Sequence, residues 1–183
     1  MKIFKRILLL VFSMVLLIII FNYPKLNIIA GYSAKNTASS VFLAERSLAF
    51  TDATDNNFSP INLATDKIDF NNKFATSSAL GLLTRKAIFR EGLGAVLTLD
   101  KSDEAANYLQ PKRVKPDNVT PYPYGNAPQK DTLFANINYE QLNKKVASVF
   151  DIEKTRAVLV IYKDQIIAEK YADGFDKNSK ILG

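Results

Sequence analysis

Hydrophobic and polar positions alternate in different ways along the chain. Ile7 to Phe21 is an apolar run interrupted only by Ser13. As a helix it covers about 22 Å against a bilayer core of about 30 Å. Ile3 and Phe4 before it, and Tyr23, Leu26, Ile28 and Ile29 after it, extend the apolar length. Residues 31–66 are mixed. Ser40 to Leu43 fits a short helix or strand, and polar Thr51 to Pro60 predicts a loop.

Residues 67–99 predict antiparallel strands. Ile68 and Phe70 alternate with polar neighbours, Asn71-Asn72 suits a tight turn, and Phe74 to Leu80 resumes the pattern. Ala87 to Phe89 is a further apolar run, and Gly92 and Gly94 lead into Val96, Leu97 and Leu99. A helix over Ser78 to Arg90, with Leu80, Leu83 and Ala87 on one face, competes with this reading. Pro111 to Pro128 is a proline-rich connector. Asn138 then caps a helix, with Gln141 placed to complete a capping box and Leu142, Val146, Val149 and Phe150 forming one stripe. Ala157 to Tyr162, a turn at Lys163-Asp164-Gln165, and Ile166 to Tyr171 predict a hairpin. Its first strand is apolar on both faces and expects a cover on each.

Charge sharpens the reading of the first segment. The 183-residue chain carries 24 basic and 18 acidic residues. Lys2, Lys5, Arg6 and Lys25 lie in residues 1–30, which hold no acid. Residues 1–30 therefore fit a signal peptide or signal anchor with its cationic end in the cytoplasm. Ala30 and Ala34 are small residues near a cleavage position. The remainder is almost balanced in charge. Only Lys112, Arg113 and Lys115 cluster, too sparse for a nucleic-acid groove.

The chain has no histidine and no cysteine. Cys/His metal sites, thiol nucleophiles and Ser-His-Asp catalysis are excluded within it. No serine has a lysine three residues on, so Ser-x-x-Lys is also missing. Ser33-Ala34-Lys35 has the wrong spacing, and Lys154-Thr155-Arg156 is not Lys-Thr-Gly. Tyr124-Gly125-Asn126 has the Tyr-x-Asn form in a short, unspecific pattern. The carboxylate pairs Asp52/Asp55, Asp66/Asp69, Asp103/Glu104 and Asp151/Glu153 lie in polar, turn-like contexts and predict hydrated carboxylates. Gly92-x-Gly94 lacks the third glycine of a nucleotide loop. The sequons at Asn57 and Asn118 are as expected by chance. The residues themselves imply no catalytic, cofactor-binding or metal-binding site.

Thr155-Arg156-Ala157-Val158-Leu159-Val160, Asp164, Ile167-Ala168-Glu169-Lys170-Tyr171-Ala172-Asp173-Gly174-Phe175 and Leu182-Gly183 carry a resemblance. Together they resemble the segment before the nucleophile in beta-lactamase-related serine hydrolases. The similarity is to the class C-like group that includes 6-aminohexanoate-dimer hydrolases. Ala30-Gly31-Tyr32-x-Ala34-Lys35, Ser78-Ala79-Leu80-Gly81, Arg85-Lys86-Ala87, Arg90-x-Gly92-Leu93-Gly94 and Pro121 to Asn126 resemble their membrane-proximal and connector segments. Relatives often carry cysteines near the positions of Ala38 and Ala95.

The resemblance implies an α+β fold. A membrane helix in residues 1–30 precedes a strand-rich extension over 31–130, and residues 131–183 begin a beta-lactamase-like catalytic domain that is incomplete here. It implies an exported hydrolase that cleaves a small amide or ester substrate through an acyl-enzyme, with its Ser-x-x-Lys beyond Gly183 and no cofactor. The implied location is the bacterial cell envelope, anchored in the inner membrane through residues 7–21 or secreted after cleavage. The partners are the membrane and the missing catalytic region of the same protein. Two alternatives stand beside it: a non-catalytic anchored envelope domain that binds a cell-wall or protein partner, and a penicillin-binding-protein-like peptidase relative. On its own, the chain is expected to hydrolyse nothing.

Overall fold

The structure is a computed structural model that describes residues 2–99, 107–112, 114–115, 117–129, 132–152 and 154–182. Two compact units result, essentially Met1–Pro111 and Lys112–Ile181. The arrangement is α+β: a long apolar helix, a four-stranded antiparallel sheet, and a further helix with a two-stranded sheet.

Helix α1 spans Lys2–Asn22 and α2 spans Lys25–Phe42. They are separated at Pro24, whose missing N–H cannot continue the ladder but whose fixed φ (−60°) suits the start of a new helix. Side chains tie the joint together: Asn22 Nδ2 donates to the Ile18 carbonyl at 2.7 Å, and Lys25 Nζ donates to Asn22 Oδ1 at 2.7 Å. The Ser40 to Leu43 run is the end of α2, capped at Leu43.

The sheet is a meander of β1 (Ala64–Asp69), β2 (Phe74–Ala79), β3 (Leu83–Arg90) and β4 (Gly94–Thr98), in that spatial order. The expected strands over 67–99 are therefore present, and the competing helix over Ser78 to Arg90 is not. Ala79 and Leu83 instead face each other across two strands. Gly92 and Gly94 both take φ of +80°, which opens the β3–β4 turn with glycines where a side chain would be strained.

Small residues decide how α2 meets the sheet. Ala30, Ala34 and Ala38 recur every four residues and are fully buried. Toward the C-terminal end of α2, Ala34 and Ala38 pack with Ala75, Ala87 and Ala95, flanked by Phe42, Ile68 and Leu97. Toward its N-terminal end, Ile29 and Ala30 pack with Ala79, flanked by Leu26, Ala64 and Leu83. A Cβ on Gly31 would stand 3.2 Å from Leu97 Cδ2, so this crossing leaves almost no space. Phe42 closes the far end against Phe70 and Phe89, with ring centroids 6.0 and 5.9 Å away.

Thr51 to Pro60 departs from the loop expected of its polarity. Ser47 caps a helical turn at Leu48–Phe50, a wide turn follows over Thr51–Asp55, and Asn56 is buried. Asp55 and Asn56 turn inward to side chains of α2, while Asp52, Asn57 and Ser59 stay exposed.

In the second unit, α3 spans Tyr139–Val149. The Asn138 side chain accepts from the Gln141 N–H at 2.9 Å, the cap its sequence predicts. Strands β5 (Ala157–Tyr162) and β6 (Gln165–Tyr171) form the hairpin. Its turn is tighter than predicted: Lys163 and Asp164 alone make it, both at positive φ, and Gln165 already pairs with Tyr162. Helix α3 lies against β6. Leu159 and Ile161 remain 45% and 52% exposed on β5. The double cover expected for this strand is thus incomplete among the described residues.

Candidate functional site

Three features of the described residues are candidates for function: the apolar helix, a polar cluster under α2, and the connector cleft of the second unit. Asp103 and Glu104 lie outside the described residues, as do Arg113 and Glu153.

Helix α1 is long and apolar enough to cross a membrane, and none of its apolar length from Phe4 to Phe21 is buried. From Phe4 to Phe21 every residue is exposed, including Leu10 at 68% and Phe12 at 66%. An apolar helix with no protein cover is stable only when something other than water surrounds it.

The polar cluster is built by three elements. Strand alternation places Asp66 in the helix-facing row of β1, between Ala64 and Ile68, directly opposite Ser77 of β2. Ser33 and Thr37, one helical turn apart on α2, reach down to it. The Ser33 hydroxyl lies 2.8 Å from each Asp66 oxygen, the Thr37 hydroxyl donates at 3.0 Å, and Asn56 Nδ2 donates at 2.8 Å. The Ser77 hydroxyl also donates to Asp66. The side chain of Asn56 completes the net, donating to Thr37 at 2.9 Å and accepting from Asn36 at 2.8 Å.

Asp52 joins this cluster. The residue is exposed at its outer edge, yet its carboxyl is pushed up to about 6, first by partial burial and then by the charge of Asp66 and a hydrogen bond to it. The pairing therefore runs between Asp52 and Asp66, not within Asp52/Asp55 or Asp66/Asp69. Asp55 instead meets Arg46 at 2.8 Å and accepts from Ser40. Asp69 accepts from Asn72 in the β1–β2 turn, and those bonds hold its carboxyl below the usual range. Sequence reasoning missed Ser33, Thr37, Asn56 and Ser77. The available signal was Ser33, Thr37 and Ser40 at helical spacing beside an alanine stripe.

Chemically, the cluster is a hydrogen-bond clamp. Ser33 and Ser77 are fully buried, so neither hydroxyl is open to a carbonyl substrate. Their hydroxyls are already committed to Asp66. Among the described residues no group of three or more Asp or Glu side chains is arranged to hold a metal ion.

In the second unit, Gln129 fastens the connector to the hairpin. Its amide donates to the Ile166 carbonyl at 2.7 Å and accepts from the Ile166 N–H at 2.8 Å. An open cleft of about 490 Å³ lies beside it, lined by Tyr122, Pro128, Ile167, Glu169 and Lys177 among others. Tyr124 lines a neighbouring depression, where its hydroxyl donates to Asp164 at 3.1 Å. That bond and the Asp164 charge raise the phenol above its ordinary range. Gly125 belongs to the turn itself, since a Cβ there would stand 2.3 Å from the Thr120 carbonyl oxygen.

No family model, no curated protein and no solved structure matches the chain.

Proposed function

We propose that this chain is a membrane-anchored envelope domain without catalytic machinery of its own, which holds a packed platform at the membrane surface to bind a cell-wall or protein partner. In this reading α1 spans the bilayer with Lys2, Lys5 and Arg6 on the cytoplasmic side. The α2–sheet unit stands on the opposite side. The exposure of α1 along its whole apolar length is the observation that carries the reading. Supporting it, the best-organised polar residues clamp α2 to the sheet instead of opening onto a cavity.

Retention of the leader belongs to the same reading. Ala30 and Ala34 are fully buried in α2, so cleavage at either would remove helix that packs on the sheet. Alkaline carbonate extraction of membranes containing the chain tests the anchor. The chain should remain in the pellet, and release into the supernatant would refute it. A fluorophosphonate probe should label nothing on the same material. Stoichiometric, heat-sensitive labelling would refute the non-catalytic reading.

A second reading has one observation in its favour. Leu159 and Ile161 leave part of β5 open, as expected of a sheet that more protein would cover. In that reading the chain is the N-terminal part of a beta-lactamase-related serine hydrolase, or of a penicillin-binding-protein-like peptidase. The nucleophile would be supplied from outside these residues, and the substrate would be a small amide or ester. A coding sequence that continues after Gly183 with Ser-x-x-Lys would favour it over the platform alone.

A further inference from the structure

The turns at one end of the sheet carry leucines that the fold does not bury, and they lie at the end where α1 joins α2. The packing fixes this direction. The N-terminal turns of α2, at Leu26, Ile29 and Ala30, touch the start of β1, the end of β2 and the start of β3. Its far end, at Phe42, touches Phe70 and Phe89 instead. The β2–β3 turn and the residue before β1 therefore point back toward Pro24.

At that end Leu63, Leu80 and Leu82 are 46%, 57% and 66% exposed, and Ile28 on α2 is 68% exposed. The Leu80 N–H donates to the Leu63 carbonyl at 3.3 Å, which joins two of these positions through the backbone. Leu80 is also in the wrong conformation for a leucine. It takes φ of +51°, a region that favours glycine, asparagine or aspartate, and Gly81 follows at +70°. A bulky apolar residue in a strained, solvent-facing turn contradicts both local conformational preference and burial. Such conflicts mark positions kept for something other than folding.

Distance along the helix supplies the occupant. Twenty residues from Phe4 to Tyr23 fill a hydrocarbon core of about 30 Å. Ile29 and Ala30 then lie about 10 Å beyond its edge. The turn hangs from Ala79, which packs on Ile29 and Ala30, and projects back toward Pro24. With α1 across a bilayer, its leucines would fall in the interfacial layer, where apolar side chains insert by about 5–10 Å.

We propose that Leu63, Leu80, Leu82 and Ile28 form a membrane-docking rim, which seats the sheet on the lipid interface around the emerging helix. The proposal rests on α1 spanning the bilayer. Docking at a second point would fix the tilt of the platform, which a single helix joined at Pro24 does not.

The absence of native cysteine permits a direct test with the full chain in phosphatidylcholine vesicles. Single variants Leu82→Cys, Asn71→Cys and Phe12→Cys carry an environment-sensitive fluorophore, read with lipids brominated at shallow or deep acyl positions. Asn71 lies in the β1–β2 turn at the opposite end of the sheet. Phe12 should be quenched by deep bromines, Leu82 by shallow ones, and Asn71 by neither. Quenching at Phe12 without quenching at Leu82 overturns the rim and leaves the anchor standing. Loss of quenching at Phe12 overturns both. Adding Leu80→Asn to the Leu82→Cys variant guards against a folding artefact: the turn is relieved of strain, yet shallow quenching should fall. Unchanged quenching there removes Leu80 from the rim and contradicts the proposal.

Discussion

Asp66 and Ser77 face each other across β1 and β2, and the Ser77 hydroxyl donates to the Asp66 carboxylate beneath α2. The carboxylate takes further hydrogen bonds from Ser33, Thr37 and Asn56. A charge placed between Ala64 and Ile68 would oppose folding if left alone, but with several donors it links three elements. Asp66→Ala should destabilise the first unit by about 3 kcal/mol, because buried hydroxyls and an amide lose their acceptor. Asp66→Asn, which keeps one acceptor oxygen, should cost less. Denaturant melts of the full chain in detergent, followed by circular dichroism, measure both.

Asp52 gives the cluster a pH dependence of known sign. Its carboxyl is raised from 3.8 to about 6 in the folded chain, so the folded state binds the proton more tightly than the unfolded one. The associated stability is fully present below about 3.8 and is lost as pH rises through about 6. Asp69, Asp117 and Asp176 are lowered, so their contributions are lost only on going to more acidic pH and do not overlap that window. Melting temperature should fall between pH 4 and pH 6 in the native chain, a range that brackets the shift. Asp52→Asn should flatten that slope; an unchanged slope would remove Asp52 as its source.

The turn at Leu80 predicts a substitution that stabilises. Leu80→Gly or Leu80→Asn should raise stability by about 1 kcal/mol, since either residue accepts positive φ with less strain. Thermal melts in detergent micelles separate this effect from any contact with a bilayer.

How much of this was legible in the sequence depended on the scale of the pattern. The apolar run at Ile7 to Phe21, the Asn138 cap and the β5–β6 hairpin were legible because each is set by neighbours in the chain. The strands over 67–99 were legible through the alternation at Ile68. The same alternation carried two residues back puts Asp66 inward, but its charge invited a solvated reading. Asp66 is explained only by Ser33 and Thr37, far away in sequence, and no local rule shows that α2 lies over β1. The polar segment at Thr51 to Pro60 misled for the same reason. Asn56 is buried by partners on α2 that composition cannot reveal.

Ala38 and Ala95 share one buried cluster between α2 and β4. Ala38→Cys with Ala95→Cys should form a disulfide on oxidation and raise the melting temperature. Closing a loop of roughly sixty residues corresponds to about 4 kcal/mol before any strain. Non-reducing gels and melts with and without reductant read the outcome.

The central claim is that α1 crosses the membrane and leaves the α2–sheet unit on the side opposite Lys5 and Arg6. Membrane-impermeant maleimide applied to bacterial spheroplasts tests it most directly, with cysteine placed singly at Asn71, Phe12 or Lys5. The account predicts modification at Asn71 in intact spheroplasts, at Lys5 only after permeabilisation, and at Phe12 in neither case. Protection of Asn71 until the membrane is opened, or ready modification of Phe12, would contradict it.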